Sequence, residues 1–261
     1  MINLLKEKIA DAELVLVGVG EEWSIRKADW QKNPLFLKAV NEWGMEEALV
    51  PFLQKYIIEE MPDERIQRKC EGYGYLEKLL KDKNYFIVTL CTDGLIRQVN
   101  LQDDRIVEPC GTIKKMQCAH KCTGDLYEFD QMWLHQFGSF LDKGTLEGIK
   151  PLTCPKCGSY MALNTMDAED YAEEGYLSQW HRYTKWLQGT VNRRLCILEL
   201  GVGMQFPTVI RWPFEKIAFF NQKASFFRIH SKLYQTAEEI KDRSYGIQAL
   251  SEDFLCDMQM L

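Results

Sequence analysis

Two close cysteine pairs, Cys118-Ala-His-Lys-Cys122 and Cys154-Pro-Lys-Cys157-Gly158, constrain this chain more than any other feature. Zinc takes four thiolate or imidazole donors in a tetrahedron, and two short loops offering two sulfurs each supply that set. In the second pair, Pro155 and Gly158 suit a tight turn whose backbone amides point at the sulfurs. The first pair has three intervening residues, and His120 between them is an alternative donor. Thirty-one residues separate Cys122 from Cys154, more than a minimal ribbon needs, so a helix is expected within Thr123–Thr153. Four protein ligands leave no position for water. The site Cys118, Cys122, Cys154 and Cys157 is therefore expected to hold a structural zinc, not a catalytic one.

Composition narrows the rest. The chain has 261 residues, 46% of them hydrophobic, which suits one globular domain with a small insert. The 38 acidic residues outnumber the 32 Lys and Arg, giving a net charge of −6. Phosphate neutralisation needs clustered positive charge, so no nucleic-acid partner is expected, and Lys114-Lys115 is too short a run to change that. No apolar run approaches the roughly 18 residues of a spanning helix, so no membrane partner is expected either. The opening MINLLKEKIADAE reads as an amphipathic helix and not as a secretory signal. The cysteine count is odd, at nine. Together these point to a reducing compartment, the cytoplasm, over a disulfide framework.

Short apolar runs alternate with longer helical patterns, the signature of an α/β sheet. Strands are expected at Glu13–Gly18, Tyr85–Thr89, Leu195–Leu200 and Ser225–Ile229. Helices are expected between Asp29 and Leu80, broken at Pro34, Pro51 and Pro62. Another is expected between Asp170 and Gln188, where Tyr176, Trp180, Tyr183 and Leu187 recur at helical spacing as a core stripe. The tail, with Phe254, Leu255, Cys256 and Met258, is expected to dock on the body. His135 and His181 read as surface or packing residues. The fold expected is α/β: a Rossmann-like parallel sheet domain formed by residues 1–114 and 166–261, with a zinc-binding module inserted at 115–165.

Two strands end in glycine pairs, Gly18-Val19-Gly20 and Gly201-Val202-Gly203. Glycine there lets the backbone approach a pyrophosphate, although any tight strand-to-helix turn also favours it. With the zinc pairs between them, the order of features resembles the sirtuin (Sir2) family over nearly the whole length. The family's Gly-Ala-Gly loop matches Gly18-Val19-Gly20. Its Thr-Gln-Asn-x-Asp-Gly-Leu-His segment matches Thr89-Leu90-Cys91-Thr92-Asp93-Gly94-Leu95-Ile96. Its Glu-Leu-His-Gly element matches Glu108-Pro109-Cys110-Gly111, just before the zinc pairs. Its Gly-Thr-Ser loop falls at Gly201-Val202-Gly203, and a later strand ending Ile-Asn falls at Ile229-His230.

The resemblance implies a sirtuin-like fold and an NAD or ADP-ribose cofactor. It places Gly18, Gly20, Cys91, Asp93, Gly201, Gly203 and His230 around that nucleotide. In sirtuins an acyl-lysine oxygen attacks C1′ of the ADP-ribose as nicotinamide leaves, and a histidine acts as general base. Cys110 stands in place of that histidine, and Cys91 in place of the asparagine that orients the ribose. Asp93 survives, so Asp93 and Cys110 are the candidate catalytic residues. A thiol is a base only as thiolate, and then it is a soft nucleophile. Glu21-Glu22 follows Gly20 where the family has a small residue and a serine. Their carboxylates would repel a pyrophosphate if aimed into the loop, or would favour a helix start if aimed outward. The Ser-Gly-Ile-Pro-Asp-Phe-Arg stretch of the family's cofactor loop has no counterpart.

Three functions follow from these substitutions. The first is a sirtuin-like protein with a nucleotide cleft and lost or altered deacylase catalysis. The second is an NAD-consuming enzyme: an ADP-ribosyltransferase, an NAD hydrolase or an atypical protein deacylase. The third is a zinc-stabilised scaffold that binds a protein or peptide partner through Trp133, Phe137, Phe140 and Tyr160.

Overall fold

The structure is a computed structural model that describes residues 1–25, 27–30 and 32–258. The elements run α1 (Ile2–Asp11), β1 (Leu14–Val19), α2 (Lys27–Trp30), α3 (Pro34–Leu37), α4 (Val50–Glu60), α5 (Glu64–Leu80) and β2 (Asn84–Thr89). Next come β3 (Ile106–Val107), β4 (Gly111–Cys118), β5 (Tyr127–Glu128), α6 (Gln131–Asp142) and β6 (Met161–Thr165). The chain finishes with α7 (Glu174–Gln188), β7 (Leu195–Leu200), α8 (Arg211–Phe220), β8 (Ala224–Ile229), β9 (Ser244–Ile247) and α9 (Ser251–Asp257).

Every residue of β1 and β7 is buried, which is why both read as unbroken apolar runs: a parallel sheet covered on both faces has no solvent side. The large sheet has the order β3-β2-β1-β7-β8-β9 and is parallel throughout. Period-two alternation divides β1 between two cores. Val15, Val17 and Val19 join the layer containing Leu5, Ile9, Tyr73 and Leu76. Leu14 and Leu16 join the layer containing Tyr183, Ile210 and Phe214. The helical stripe Tyr176, Trp180, Tyr183 and Leu187 packs into that second layer, as its spacing implied.

Helix starts follow their local chemistry. Asn33 accepts from the amides of Leu35 and Phe36, with Pro34 at the first position of α3. Asp63 does the same for Arg65 and Ile66 at α5, with Pro62 just outside. The tail docks as expected: Phe254, Leu255 and Cys256 of α9 are buried, and Trp23 donates its indole N–H to Ser251 Oγ at 2.6 Å. The second sheet, β5-β4-β6, is antiparallel, and β4 begins at Gly111, before the expected module start at 115. No helix among the described residues is long and apolar enough to cross a membrane.

Candidate metal centre and nucleotide crevice

Each half of the small module delivers two sulfurs. Cys118 ends β4, and Cys122 follows a turn in which Lys121 takes φ +44°. Cys154 and Cys157 sit on a second turn, closed by Gly158 N–H donating to Cys154 O at 2.9 Å and Cys154 N–H donating to Ser159 O at 2.6 Å. The four Sγ atoms lie within 4.8 Å of one another, with Cys118–Cys157 at 3.6 Å and Cys122–Cys154 at 3.7 Å. A zinc with bonds of about 2.3 Å would set tetrahedral edges of about 3.8 Å, so the four thiols fit the ion. Ser159 hydrogen bonds hold the Cys157 thiol down to about 6, while the bond to Cys157 pushes Cys122 up to about 12, so the cluster shares its protons until a metal displaces them. His120 is exposed and outside the cluster, so the alternative donor is not used. The helix expected between the pairs is α6. A closed four-sulfur site supports structure; it offers no coordination position to a substrate.

The aromatic residues near this centre do not form one surface. Trp133 stacks on Phe137 at 5.0 Å and meets Phe52 of α4 edge-on at 5.2 Å, and Phe137 is buried against Tyr56. They are the joint between module and α4, while Tyr160 stands apart at 52% exposure. The joint is reinforced by the buried Lys55, whose ammonium bonds Glu59 Oε1 at 2.6 Å and lies 4.4 Å from the Phe129 ring centre. Lys114 of β4 reaches the same Glu59 oxygen at 2.6 Å.

In the large sheet the connections run one way from β1 through β2 to β3, and the other way from β7 through β8 to β9. The direction reverses between β1 and β7, and in open α/β sheets a crevice for ligands lies beyond the strand ends at that point. Both glycine loops meet there. A Cβ on Gly20 would fall 2.3 Å from Val202 Cα and 2.5 Å from Gly201 O, so only glycine lets the two backbones touch. Gly201 takes φ +63° and faces Glu22, Ser251 and Trp23. Gly18 lies one step back, inside β1, where its missing Cβ makes room for Ile210 and Phe214.

Glu21 and Glu22 turn inward. Glu21 Oε2 accepts from Gly203 N–H at 2.6 Å, and its Oε1 from Gln205 N–H at 2.9 Å. Glu22 accepts from the amide and the hydroxyl of Ser231. His230 is buried beside it, with Nδ1 3.2 Å from Glu22 Oε1. The same Nδ1 accepts the amides of Lys232 and Leu233, both at 3.0 Å, and burial lowers the imidazole's pKa. The ring is thus neutral, with its proton on Nε2, and the Glu22 contact is no ion pair. Beyond this loop lies a cavity of about 530 Å³, lined by Glu22, Ser24, Ile25, Lys69, His230, Ser231 and Glu252 among others. It occupies the carboxyl ends of β1 and β8.

Of the remaining candidate residues, Cys91 and Asp93 lie together beneath the β1 loop, whereas Cys110 belongs to the opposite core layer, with Leu90 and Val107. Cys91 is 2% exposed, and its thiol lies 3.4 Å from Gly20 O. Burial, with the Asp93 carboxylate adding to it, pushes that thiol up to about 12. Asp93 accepts from Leu95 N–H at 3.1 Å and Ile25 N–H at 3.3 Å, yet burial still raises it to about 6. Cys110 sits between β3 and β4, its carbonyl held by Met166 N–H at 2.9 Å. Burial and the Glu21 charge push its thiol up to about 12 as well. Residue types alone missed Tyr73, a fully buried phenol that adjoins Cys91 and Asp93. They also missed Lys69, whose ammonium ties Glu22 O to Glu252.

Solved structures share this architecture. A Sir2 homologue complexed with 2′-O-acetyl ADP-ribose superposes with a TM-score of 0.57 at 13% identity, covering 99% of this chain and 95% of that one. A Sir2–p53 peptide–NAD+ complex gives 0.54 at 11% identity, covering 100% and 98%. The chain has the sirtuin fold, as the order of its motifs implied. No protein-family model matches it. Among curated proteins, a protein ADP-ribosyltransferase of Staphylococcus aureus (strain Mu50 / ATCC 700699) is 21% identical over 93% of this chain and 82% of its own length. A probable bifunctional ADP-ribose hydrolase/ADP-ribosyltransferase of Fusarium oxysporum f. sp. cubense is 27% identical over 51% of this chain, a stretch covering only 23% of that protein.

Proposed function

We propose that this sirtuin-fold protein binds an NAD- or ADP-ribose-type nucleotide at the β1–β7 crevice and has lost the deacylase reaction. One observation carries the second half of that reading: the positions matching the family's asparagine and histidine hold buried cysteines, Cys91 at 2% and Cys110 at 6% exposure, and burial pushes both thiols up to about 12. At pH 7 a thiol with that pKa is ionised in only about one molecule in 10⁵. General-base catalysis needs a group poised near working pH, and a neutral thiol cannot take a ribose hydroxyl proton. Cys91 also lacks the paired donor and acceptor of an amide.

The crevice supports the first half. NAD, when bound, supplies an electrophilic C1′ with nicotinamide as leaving group. The chain's own part is to offer the amides of Gly203 and Gln205, which already hold an anionic carboxylate and so suit a phosphate oxygen. The 530 Å³ cavity beside His230 would take the adenosine end. Calorimetry with NAD and with ADP-ribose is the test. Binding is expected for both, and no heat at millimolar ligand would contradict the reading.

A second reading, ADP-ribosyl transfer, is favoured by the name of the Staphylococcus aureus relative, which this chain resembles over most of its length. Transfer to an acceptor that is already a good nucleophile needs less base assistance. Asp93, titrating near 6, is then the group that accepts the proton. NAD consumption should disappear in Asp93→Asn. Nicotinamide release that persists in the Asp93→Asn and Cys110→Ser double variant would remove this reading.

A further inference from the structure

We infer that Glu21 sets the crevice's affinity for phosphate: its carboxylate is a resident anion on the backbone donors that a pyrophosphate would use, and a nucleotide binds only by displacing it. The inference rests on the nucleotide reading of the crevice and adds what decides its selectivity. The carboxylate spans two donors from one loop, with Oε2 on Gly203 N–H at 2.6 Å and Oε1 on Gln205 N–H at 2.9 Å. A Cβ on Gly203 would approach Oε2 to 3.1 Å, so the loop closes tightly on the carboxylate. Charge-assisted bonds of this kind are short and strong, and an incoming phosphate competes for the same hydrogens.

Arg211, the cation whose field reaches Glu21, spends its guanidinium on the carbonyls of Val202, Leu233 and Gln235. His230 is neutral, since its Nδ1 accepts two amides. Glu22 places a second carboxylate on Ser231. A diphosphate therefore competes with the Glu21 carboxylate for the same two donors, whereas an uncharged nucleoside meets no such competition.

The test is calorimetry on the zinc-loaded full chain with two probes, ADP-ribose and adenosine, against wild type, Glu21→Ala and Glu21→Gln. Thermal unfolding of each protein identifies any that fail to fold. ADP-ribose should bind Glu21→Ala about tenfold or more tightly than wild type, and Glu21→Gln by an intermediate factor. Adenosine should change by less than about twofold, since it brings no charge. The near-isosteric Glu21→Gln carries the test alone if the alanine variant does not fold. ADP-ribose binding that is unchanged or weaker in the variants, with adenosine still bound, would overturn the inference and leave the nucleotide reading standing. No binding of either probe by any of the three proteins would overturn both.

Discussion

The zinc module and the β1–β7 crevice solve the same problem in opposite ways. Each brings two short loops together, the module around its four sulfurs and the crevice around the proposed nucleotide site. The module does it with four side chains, Cys118, Cys122, Cys154 and Cys157, whose identity states the chemistry. The crevice does it with backbone, through Gly20 against Val202 and the amides of Gly203 and Gln205, so residue names say little about what is held. A metal set survives only if all four ligands do. A backbone cradle survives extensive substitution, and a neighbouring side chain can fill it. Here the module is intact in type and geometry, while the crevice keeps its shape and holds its own Glu21.

Removing the metal should have the largest effect, because structural zinc in small modules contributes on the order of 10 kcal/mol to folding. Metal analysis should find one zinc per chain. Chelation, or Cys154→Ala, should melt β4–β6 and loosen the α4 joint, seen as a large drop in Tm. An unchanged Tm would break the comparison from the module's side.

On the crevice side the strongest effect is expected beneath the loops, where Arg228 Nε bonds Glu199 Oε2 at 2.6 Å with both side chains fully buried. Arg228→Met strands the carboxylate and should cost about 3–5 kcal/mol in denaturant unfolding. A loss below 1 kcal/mol would mean that Glu199 is already neutral.

Gly20→Ala comes next. Its Cβ would strike backbone at 2.3 Å, so the loops must part, with a loss of about 1–3 kcal/mol. If stability is unchanged, the crevice is less closed than described.

The smallest effect is a pH dependence. Asp93 is raised from 3.8 to about 6, so between those values the native chain keeps a proton that the unfolded chain has released. That group therefore favours the folded state at low pH, and the favour is lost as pH rises through about 6. Relative to Asp93→Asn, wild type should lose on the order of 1–2 kcal/mol between pH 4 and pH 7. A flat difference would show that the Asp93 carboxyl titrates alike in the folded and unfolded chains.

The same contrast explains what could be read in the sequence. β1, β2, β7 and β8 were legible because buried parallel strands are continuous apolar runs. Helix α7 was legible from its 3.6-residue stripe. The four zinc ligands were legible from spacing alone. Strand β3 has two residues and β9 is half-exposed, so neither leaves a pattern long enough to detect. Asp93, Cys91 and Cys110 become candidates only through the order of motifs. The direction of Glu21 was not, because it depends on an amide 182 residues away. Local sequence left two destinations open for that carboxylate, and the fold selected the inward one.

The most direct test of the central claim is nicotinamide release from NAD in the presence and absence of an acyl-lysine peptide, with zinc-loaded protein. If Cys91 and Cys110 hold the reaction centre as proposed and stay protonated at neutral pH, there should be no peptide-dependent release and no deacylated product. Stoichiometric deacylation with nicotinamide release at pH 7 would contradict the account, because the base would then have to be Asp93 or an ionised Cys110 or Cys91.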